Sequence, residues 1–488
     1  MSNEAKTALE KYPNYAVNIG FEIHVQLKTN TKIFCSCPNK FGQQPNKNIC
    51  PICSGHPGTL PILNKKVVDF AIMAGLATNC KITTFNQFSR KHYYYPDLPK
   101  NFQITQGDIA ICQDGYLTIN LTDGSTKNIR IQRIHMEEDA GKNIHSETGD
   151  SLVDLNRAGT PLLEIVSHPD IASVQEARAY LTQIKTIVQY LGISDANMEE
   201  GSFRADTNIS VRKKDTKEFG TKVELKNINS FKFISQAIEH EIERQIEDLE
   251  EGKRIIQETR LWDTKKQISI SMRSKEEAND YRYLTEPDIP PVIIDDNWIE
   301  NIRKSLPELP REKNLRFQKE YGLNDYEAEI LVDDVETANV FEKASKISNL
   351  PKQICNWMLR DLLSFLKENK LSLNECKITP ENLAEFVSII EKGIINTKIA
   401  QDVFLEMIQS GKTPHQIVKD KGLEQISSPE ELEKIVLETL AKNNSQVEEF
   451  HKGNEKLFPF FIGQVMKATK GKGNPGMIQE ILNKNLRK

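Results

Sequence analysis

One segment near the amino terminus alternates strictly between apolar and polar residues, and it constrains the fold more than any other feature. Its odd positions, from Val17 to Leu27, are all apolar, and its even positions, from Asn18 to Lys28, are glycine or polar. A period of two residues predicts a strand with one buried and one polar face. Segments 203–212 and 222–226 repeat the pattern, and an Asp-Gly pair at 123–124 predicts a hairpin. Together they favour a largely antiparallel sheet.

Helical stripes interrupt these strands and make the predicted fold class α+β. One stripe follows Ser173 and Glu176, which have the spacing of a capping box, and a second follows Ser230. The sequence pattern changes near residues 287–291. Strand-like alternation dominates before this point, and nearly every segment after it has a helical period. Because 488 residues exceed what one hydrophobic core accommodates, we place a domain boundary there.

The composition excludes several classes of protein. No apolar run approaches the roughly 18 residues that span a membrane, and the first residues lack the apolar core of a secretory signal. We therefore expect a cytoplasmic protein without membrane contacts, in which cysteines are thiols or metal ligands. The formal charge of -5 gives no global signal for nucleic acid, but segment 456–488 holds seven Lys or Arg and one acid. That tail is a local basic patch.

The polar sheet face carries the first candidate site. Glu22 and His24 are two residues apart on a strand, so they project from one face about 6–7 Å apart. Carboxylates and an imidazole suit a hard cation, and Arg or Lys suit phosphate oxygens, as phosphoryl transfer requires. A solvated sheet face is the alternative for any single residue. The other candidate acids are the runs Glu137-Glu138-Asp139 and Glu199-Glu200 and the single Glu224, on strands that also carry Arg204, Arg212, Lys222 and Lys226. Arg204, Asp206 and Lys222 are the possible contacts to ATP.

Motifs for the usual nucleotide sites are missing from the sequence. There is no GxxxxGK[ST] loop and no GxGxxG after a strand, so ATP, if it binds, binds a sheet face. Segment 90–97, RKHYYYPD, interleaves basic and aromatic residues. It fits either a site that stacks bases and holds phosphates or an ordinary aromatic strand edge.

Four cysteines form the second candidate site. Cys35 and Cys37 are followed, after twelve residues, by Cys50 and Cys53. Two close pairs at this separation predict a tetrahedral structural zinc site, and a set of buried free thiols is the alternative. A site closed by four thiolates has no open position, so we expect it to stabilise the fold rather than to catalyse.

Long motifs along nearly the whole chain point to one family. They include GFEIHVQLKT from Gly20, FCSCPNKFG from Phe34, RKHYYYPDLPK from Arg90, HMEEDAGK from His135, MEEGSFRADTNISVR from Met198, CNWMLRDL from Cys355 and IGQVMKATKGKGNPG from Ile462. The chain resembles the GatB family, the B subunits of aspartyl/glutamyl-tRNA amidotransferases. The resemblance implies a cradle domain at 1–294, an all-α helical domain at 295–412 and a small YqeY-like helical tail domain at 413–488.

The resemblance also implies an activity. Members use ATP and Mg²⁺ to phosphorylate the side-chain carboxylate of Glu or Asp on a misacylated tRNA, and ammonia then displaces the phosphate. A partner amidase, the A subunit, supplies the ammonia, and a small C subunit completes a heterotrimer. The family's metal positions correspond to Glu22, His24, Glu137, Glu138 and Glu224. The basic tail, with Lys467, Lys470 and Lys472, would contact tRNA phosphates.

Two other functions compete with this interpretation. An RNA-binding scaffold with structural zinc and no chemistry would explain the cysteines, the tyrosines and the basic tail. It leaves the acids on polar strand faces unexplained, because they would repel phosphate without a cation. The second competitor is a stand-alone amide ligase of the glutamine-synthetase type, acting on a free amino acid.

Overall fold

The computed structural model describes residues 6–107, 109–121, 123–145, 149–274, 281–426, 428–469 and 471–487. The chain divides into two compact units, Met1–Leu309 and Pro310–Lys488. Lys470, one of the predicted tRNA contacts, lies outside the described residues. The domain boundaries predicted at 294/295 and 412/413 stay predictions.

The first unit combines short and long strands with five helices among its described residues. The strands are β1 (Tyr15–Gln26), β2 (Lys81–Ile82), β3 (Phe85–Asn86), β4 (Phe88–His92), β5 (Phe102–Gln106), β6 (Cys112–Asn120), β7 (Thr126–Glu138), β8 (Lys142–His145), β9 (Ser151–Asp154), β10 (Pro161–Ser167), β11 (Phe203–Lys213), β12 (Val223–Lys226), β13 (Glu258–Asp263), β14 (Ile268–Ser274), β15 (Leu284–Thr285) and β16 (Val292–Ile293). The helices are α1 (Ala8–Lys11), α2 (Lys65–Ala77), α3 (Val174–Tyr190), α4 (Phe231–Glu250) and α5 (Asp296–Ser305).

One large sheet dominates this unit. Its strands follow the order β14-β13-β12-β11-β1-β10-β7-β5-β4-β15, with β6 paired to β7 and β2 paired to β6. β12 and β13 run parallel, and the pairs that flank β1 are antiparallel. The predicted α+β class with a largely antiparallel sheet is confirmed. The predicted hairpin joins β6 to β7, and its turn includes Gly124 with φ +81°, a conformation that glycine adopts without strain.

The apolar face of the sheet forms the core. Ile19, Phe21 and Ile23 of β1 are almost completely buried, as the alternation predicts. Helices α2, α3 and α4 contact strands β7, β6 and β11, and the ring of Phe21 stacks on Tyr180 of α3 with centroids 6.1 Å apart. Burying each large apolar side chain contributes about 1.5–3 kcal/mol. This face therefore anchors the strands whose opposite face is polar.

The second unit is helical in its described secondary structure, apart from one isolated parallel bridge between Ile426 and Gly473. Its helices are α6 (Pro310–Tyr321), α7 (Asp325–Val332), α8 (Val335–Ser348), α9 (Pro351–Trp357), α10 (Leu363–Asn369), α11 (Pro380–Glu391), α12 (Thr397–Ser410), α13 (Pro414–Lys421), α14 (Pro429–Lys442), α15 (Asn444–His451), α16 (Phe458–Ala468) and α17 (Pro475–Leu486), with a π turn at Met358–Leu362 and 3₁₀ turns at Leu373–Glu375 and Glu455–Leu457. No helix of the described chain is long and apolar enough to cross a bilayer.

Local signals explain where these helices start, and aromatic packing explains part of what holds them together. The side chain of Thr379 caps α11 by accepting from the backbone N–H of Asn382, and a proline occupies the first helical position. Trp357, Phe386 and Phe404 bring α9, α11 and α12 together, with ring centroids 4.8–5.2 Å apart. Helices α14, α16 and α17 share a separate apolar cluster around Leu432.

Candidate active site

Three strands line up two imidazoles around one carboxylate. His24 of β1 lies directly opposite Glu164 of β10, and Glu164 lies directly opposite His135 of β7. The Oε2 atom of Glu164 is 3.4 Å from Nε2 of His24 and 3.4 Å from Nε2 of His135. The row is a consequence of register, because directly paired residues of neighbouring strands project from the same face.

Glu22 and Glu137 extend this row into a cluster. His24 Nε2 lies 3.5 Å from Glu137 Oε1 and 3.9 Å from Glu22 Oε1, and His135 Nε2 lies 3.7 Å from Glu137 Oε2. Two overlapping groups have ligand atoms within 4.8 Å of one another, and Glu164 belongs to both. One group is Glu22, His24 and Glu164, and the other is His135, Glu137 and Glu164. We call these five residues the acid–imidazole cluster.

The electrostatics show how the cluster balances its charges without a cation. Burial lowers the pKa of His135, but the charges and hydrogen bonds of Glu164 and Glu137 outweigh burial and raise that pKa to about 9. The pKa of His24 is also raised, because Glu164 and Glu137 overcome its burial. Burial, and then the charge of Glu164, raise the pKa of Glu22. The charge of His135 therefore offsets part of the negative charge of the closely packed carboxylates, and the pKa of His24 shifts in the same direction.

The residues of the cluster fit a divalent cation. Carboxylate oxygens with an imidazole nitrogen are a donor set that hard cations such as Mg²⁺ and Mn²⁺ accept. The Nδ1 atom of His135 is buried and has no hydrogen-bond partner among the described residues. A divalent cation could replace the protons on the imidazoles and neutralise the same carboxylates. Metal ligation requires neutral imidazole and ionised carboxylate, so binding the cation would release those protons.

A second group of charges continues the polar face toward the far strands. Asp206 of β11 lies directly opposite Glu22. Lys226 Nζ lies 2.7 Å from Asp206 Oδ2 and 3.3 Å from Glu224 Oε1, and Thr259 donates to Glu224 Oε2 at 2.9 Å. Lys226, rather than the exposed Lys222 that precedes β12, is thus the lysine of this strand that contacts Asp206.

The structure does not bring Glu138 into the acid–imidazole cluster. Successive residues of a strand project from opposite faces, so Glu138 projects away from Glu137. Its carboxylate contacts Lys100 and accepts from the backbone N–H of Ile104 at 2.8 Å. It lines a cleft of about 210 Å³ on that side of the strand, together with Cys53 and Arg90.

Two residues of this region were not predicted from the sequence. Glu164 is a single acid within the apolar stretch Pro161–Ser167, and His135 stands two residues before Glu137, as Glu22 does before His24. Lys91 was part of the predicted segment 90–97, and the charges of Tyr283, Glu137 and Glu164 raise its pKa against the effect of burial. The same period-two argument, applied to β10 and β7, would have found the first two.

Segment 90–97 therefore divides between two faces. The ammonium of Lys91 lies 4.9 Å from the ring centroid of Tyr281, on the side of the acid–imidazole cluster. Arg90 projects to the other side and makes two hydrogen bonds to Glu286, at 2.8 and 2.9 Å. Tyr94 and Tyr95 are exposed.

The four predicted cysteines lie together. The sulfur atoms of Cys35, Cys37, Cys50 and Cys53 are within 4.8 Å of one another, and Sγ of Cys53 is 3.9 Å from that of Cys50 and 4.0 Å from that of Cys37. Zinc–sulfur bonds of about 2.3 Å in a tetrahedron place sulfur atoms about 3.8 Å apart. The cluster could therefore hold zinc.

The lysines of the basic tail are partly accessible. Lys467 is exposed near the end of α16, and Lys472 is half-buried, with its ammonium donating to the backbone oxygen of Gly422. No described contact ties Lys467 to an acid.

Comparison with known proteins places this architecture in context. The GatB/GatE catalytic domain model matches residues 17–300, and the GatB domain model matches residues 339–486. The chain is 51% identical over 473 residues to the B subunit of the aspartyl/glutamyl-tRNA(Asn/Gln) amidotransferase of Thermodesulfovibrio yellowstonii, covering 97% of this chain and 99% of that protein. The proteins of the same name from Carboxydothermus hydrogenoformans and Geobacter sulfurreducens are each 53% identical over 478 residues, covering 97% of this chain and 99% and 100% of those proteins.

Proposed function

The chain belongs to the GatB family of amidotransferase B subunits, and from that premise we propose that it amidates Glu or Asp carried by a misacylated tRNA. In this proposal ATP phosphorylates the side-chain carboxylate, and ammonia from a partner amidase displaces the phosphate. The observation that carries the proposal is the acid–imidazole cluster on the polar face of the sheet.

The chemistry explains why such a cluster is needed. A carboxylate is a poor electrophile, because its leaving group would be oxide, whereas an acyl phosphate releases phosphate. A bound Mg²⁺ would neutralise negative charge on the phosphoryl group. Glu22, His24, Glu137 and Glu164 would hold that cation, with Glu224 and Asp206 beside them. Water must be excluded, since it would hydrolyse the acyl phosphate.

Other residues take supporting roles. We assign Arg204 and Lys226 to phosphate oxygens on the protein side; Lys226 takes the place that the sequence suggested for Lys222. The four-cysteine cluster would bind structural zinc. Glu138 stays a candidate for a contribution from the opposite face of β7, where Lys100 balances its charge.

The proposed assembly follows from the family to which the chain belongs. We propose a cytoplasmic heterotrimer with an amidase A subunit and a small C subunit; the amidase would supply the ammonia, since nothing in the sequence resembles a glutaminase. The cradle at 1–294 would carry the chemistry. The helical domain at 295–412 and the tail at 413–488 would hold tRNA, with Lys467, Lys470 and Lys472 contacting phosphates.

A direct test replaces Glu164 in the assembled complex. Glu164→Gln preserves shape but removes the charge shared by both imidazoles, and we expect it to lower ATP-dependent amidation of misacylated tRNA at least a hundredfold while tRNA binding is retained. Asp170→Asn is the matched control, because it breaks an ion pair with Arg130 outside the cluster. Amidation by Glu164→Gln at the wild-type rate would refute the site.

The same assay separates the competing functions. Both misacylated tRNAs and free glutamate are offered with ATP and an ammonium salt or glutamine, with and without the partner subunits. ATP turnover with free glutamate alone would support a stand-alone ligase. Tight tRNA binding by the complete complex without any amidation would support a scaffold. Use of glutamine by the lone chain would contradict the proposed dependence on an amidase.

A further inference from the structure

Three side chains from separate segments converge on one oxygen atom of Asp139. Gln26 Nε2 donates to Oδ2 at 2.8 Å and the Nη2 atom of Arg204 donates at 2.9 Å, while Nε of Arg157 lies 3.7 Å from the same oxygen. Asp139 follows β7 directly and is buried, and its Oδ1 atom accepts from the N–H of Ala140. A single buried carboxylate thus holds two guanidinium groups next to each other.

The orientation of Arg157 is determined by backbone atoms. Its Nε donates to the carbonyl oxygen of Ala140 at 2.9 Å, and its Nη2 donates to that of Gly141 at 2.7 Å. These bonds use two of its five N–H groups. Within the described parts of the chain, the remaining three have no hydrogen-bond acceptor, and the side chain is 36% exposed. The backbone bonds hold this guanidinium in place, and its unused N–H groups could donate hydrogen bonds to a ligand.

Arg204 is similarly incomplete. It makes one side-chain hydrogen bond, to Asp139, and its Nε atom is buried without a partner among the described residues. Its side chain is 38% exposed. A buried donor without an acceptor costs about 1–3 kcal/mol, so this position of Arg204 lowers stability. A ligand would contact the exposed part of the guanidinium, whose remaining N–H groups have no acceptor among the described residues.

The pair lies at the edge of the acid–imidazole cluster. Arg204 is directly opposite His24 in the β1–β11 pairing, and Gln26 follows His24 on the same face of β1. Two guanidiniums and one carboxylate leave one net positive charge beside a group of acids. The polar face therefore has a part that suits a cation and an adjoining part that suits an anion.

From this geometry we propose that Arg157 and Arg204 form a two-guanidinium subsite for a phosphate group, with Asp139 as its positioning residue. The inference rests on the proposed function and extends it to Arg157, which that function does not use. Planar guanidiniums bind phosphate oxygens in pairs and stay charged at every accessible pH. The phosphate would belong either to ATP or to the acceptor end of the tRNA.

A structural role for Arg157 is the alternative, since its bonds to Ala140 and Gly141 brace the segment before β10. Bracing alone would lower thermal stability and reduce the rate with every substrate equally. A phosphate contact would instead change the kinetics with one substrate, and it would change the affinity for free phosphate. The test therefore measures substrate-specific constants and a binding constant.

The experiment uses the assembled complex with Arg157→Gln, Arg157→Lys and the control Arg130→Gln. Arg130 also pairs with an aspartate, Asp170, but lies elsewhere on the sheet. We expect Arg157→Gln to lower kcat/KM for ATP at least tenfold while kcat/KM for misacylated tRNA is retained, Arg157→Lys to lie between, and Arg130→Gln to match wild type. A loss confined to kcat/KM for misacylated tRNA would support the subsite and assign its phosphate to the tRNA.

Direct binding keeps the inference independent of activity. Inorganic phosphate, titrated into the complex with Mg²⁺ present, should bind the wild type at least fivefold more tightly than either Arg157→Gln or Arg204→Gln. Arg204→Gln serves if Arg157→Gln does not fold. Unchanged phosphate affinity together with unchanged kcat/KM for both substrates would overturn the subsite. A wild-type complex that binds phosphate but never amidates would overturn the proposed function instead.

Discussion

The imidazoles of the acid–imidazole cluster should make the metal-free protein less stable as the pH becomes alkaline. His135 is buried between Glu164 and Glu137, whose charges hold its pKa at about 9 instead of 6.5. Because the folded-state pKa lies above the unfolded-state value, the protonated form stabilises the fold. That contribution is fully present below pH 6.5 and is lost as the pH rises through 9.

The size of the effect follows from the two pKa values. A pKa of about 9 in the folded state against 6.5 in the unfolded state corresponds to about 3 kcal/mol of unfolding free energy. Glu164 is the main source of attraction, since its charge leads the interactions that oppose burial. In Glu164→Gln, burial should prevail and leave His135 neutral at pH 7. We therefore expect the variant to lose more than half of the alkaline pH dependence.

The assay combines urea unfolding and imidazole titration in EDTA. Trp262 and Trp298 belong to the first unit, so a Trp357→Phe background restricts tryptophan fluorescence to that unit. The free energy of unfolding is compared at pH 6.5 and 9.5, and the His135 imidazole is titrated by NMR. A His135 pKa near 6.5 in the wild type, or equal pH dependence in the wild type and Glu164→Gln, would refute this account.

Three further predictions concern stability and metal content. Lys100→Met leaves the buried carboxylate of Glu138 without its cation, so it should destabilise the first unit by about 3 kcal/mol in urea unfolding; unchanged stability would show that the pair contributes little. Cys53→Ser should release zinc measured by elemental analysis and lower Tm, whereas Cys80→Ser should retain the metal, because Cys80 lies outside the cluster. Phe21→Ala removes a fully buried ring that stacks on Tyr180 and should cost about 3–5 kcal/mol, seen as a lower urea midpoint with the same slope.

Much of the fold follows from local pattern. The strict alternation of 17–28 predicts a strand, and the structure has β1 at Tyr15–Gln26 with its apolar residues buried. The capping residues Ser173, Ser230 and Thr379 mark the starts of α3, α4 and α11. These signals are readable because period and capping depend on neighbours within a few residues.

The candidate site was only partly readable. Alternation placed Glu22 and His24 on one face, and in the structure Nε2 of His24 lies 3.9 Å from Oε1 of Glu22. It could not say which strands flank β1, so Glu164 was missed within its apolar stretch. Glu137 and Glu138 were predicted together, but neighbouring residues of a strand project from opposite faces, and only Glu137 lies in the acid–imidazole cluster.

The sequence by itself determined β1, β11, β12 and the β6–β7 hairpin, the starts of several helices, the cysteine set and, through its motifs, the family to which the chain belongs. Only the tertiary structure decided which side chains share a site. Strand order brings β10 and β7 beside β1, and register then sets His24, Glu164 and His135 in one row. In the same way, the fold brings Gln26, Arg157 and Arg204 from separate segments into contact with Asp139. His24 and Glu164 are separated by more than a hundred residues along the chain. No local sequence pattern encodes a contact between residues that far apart.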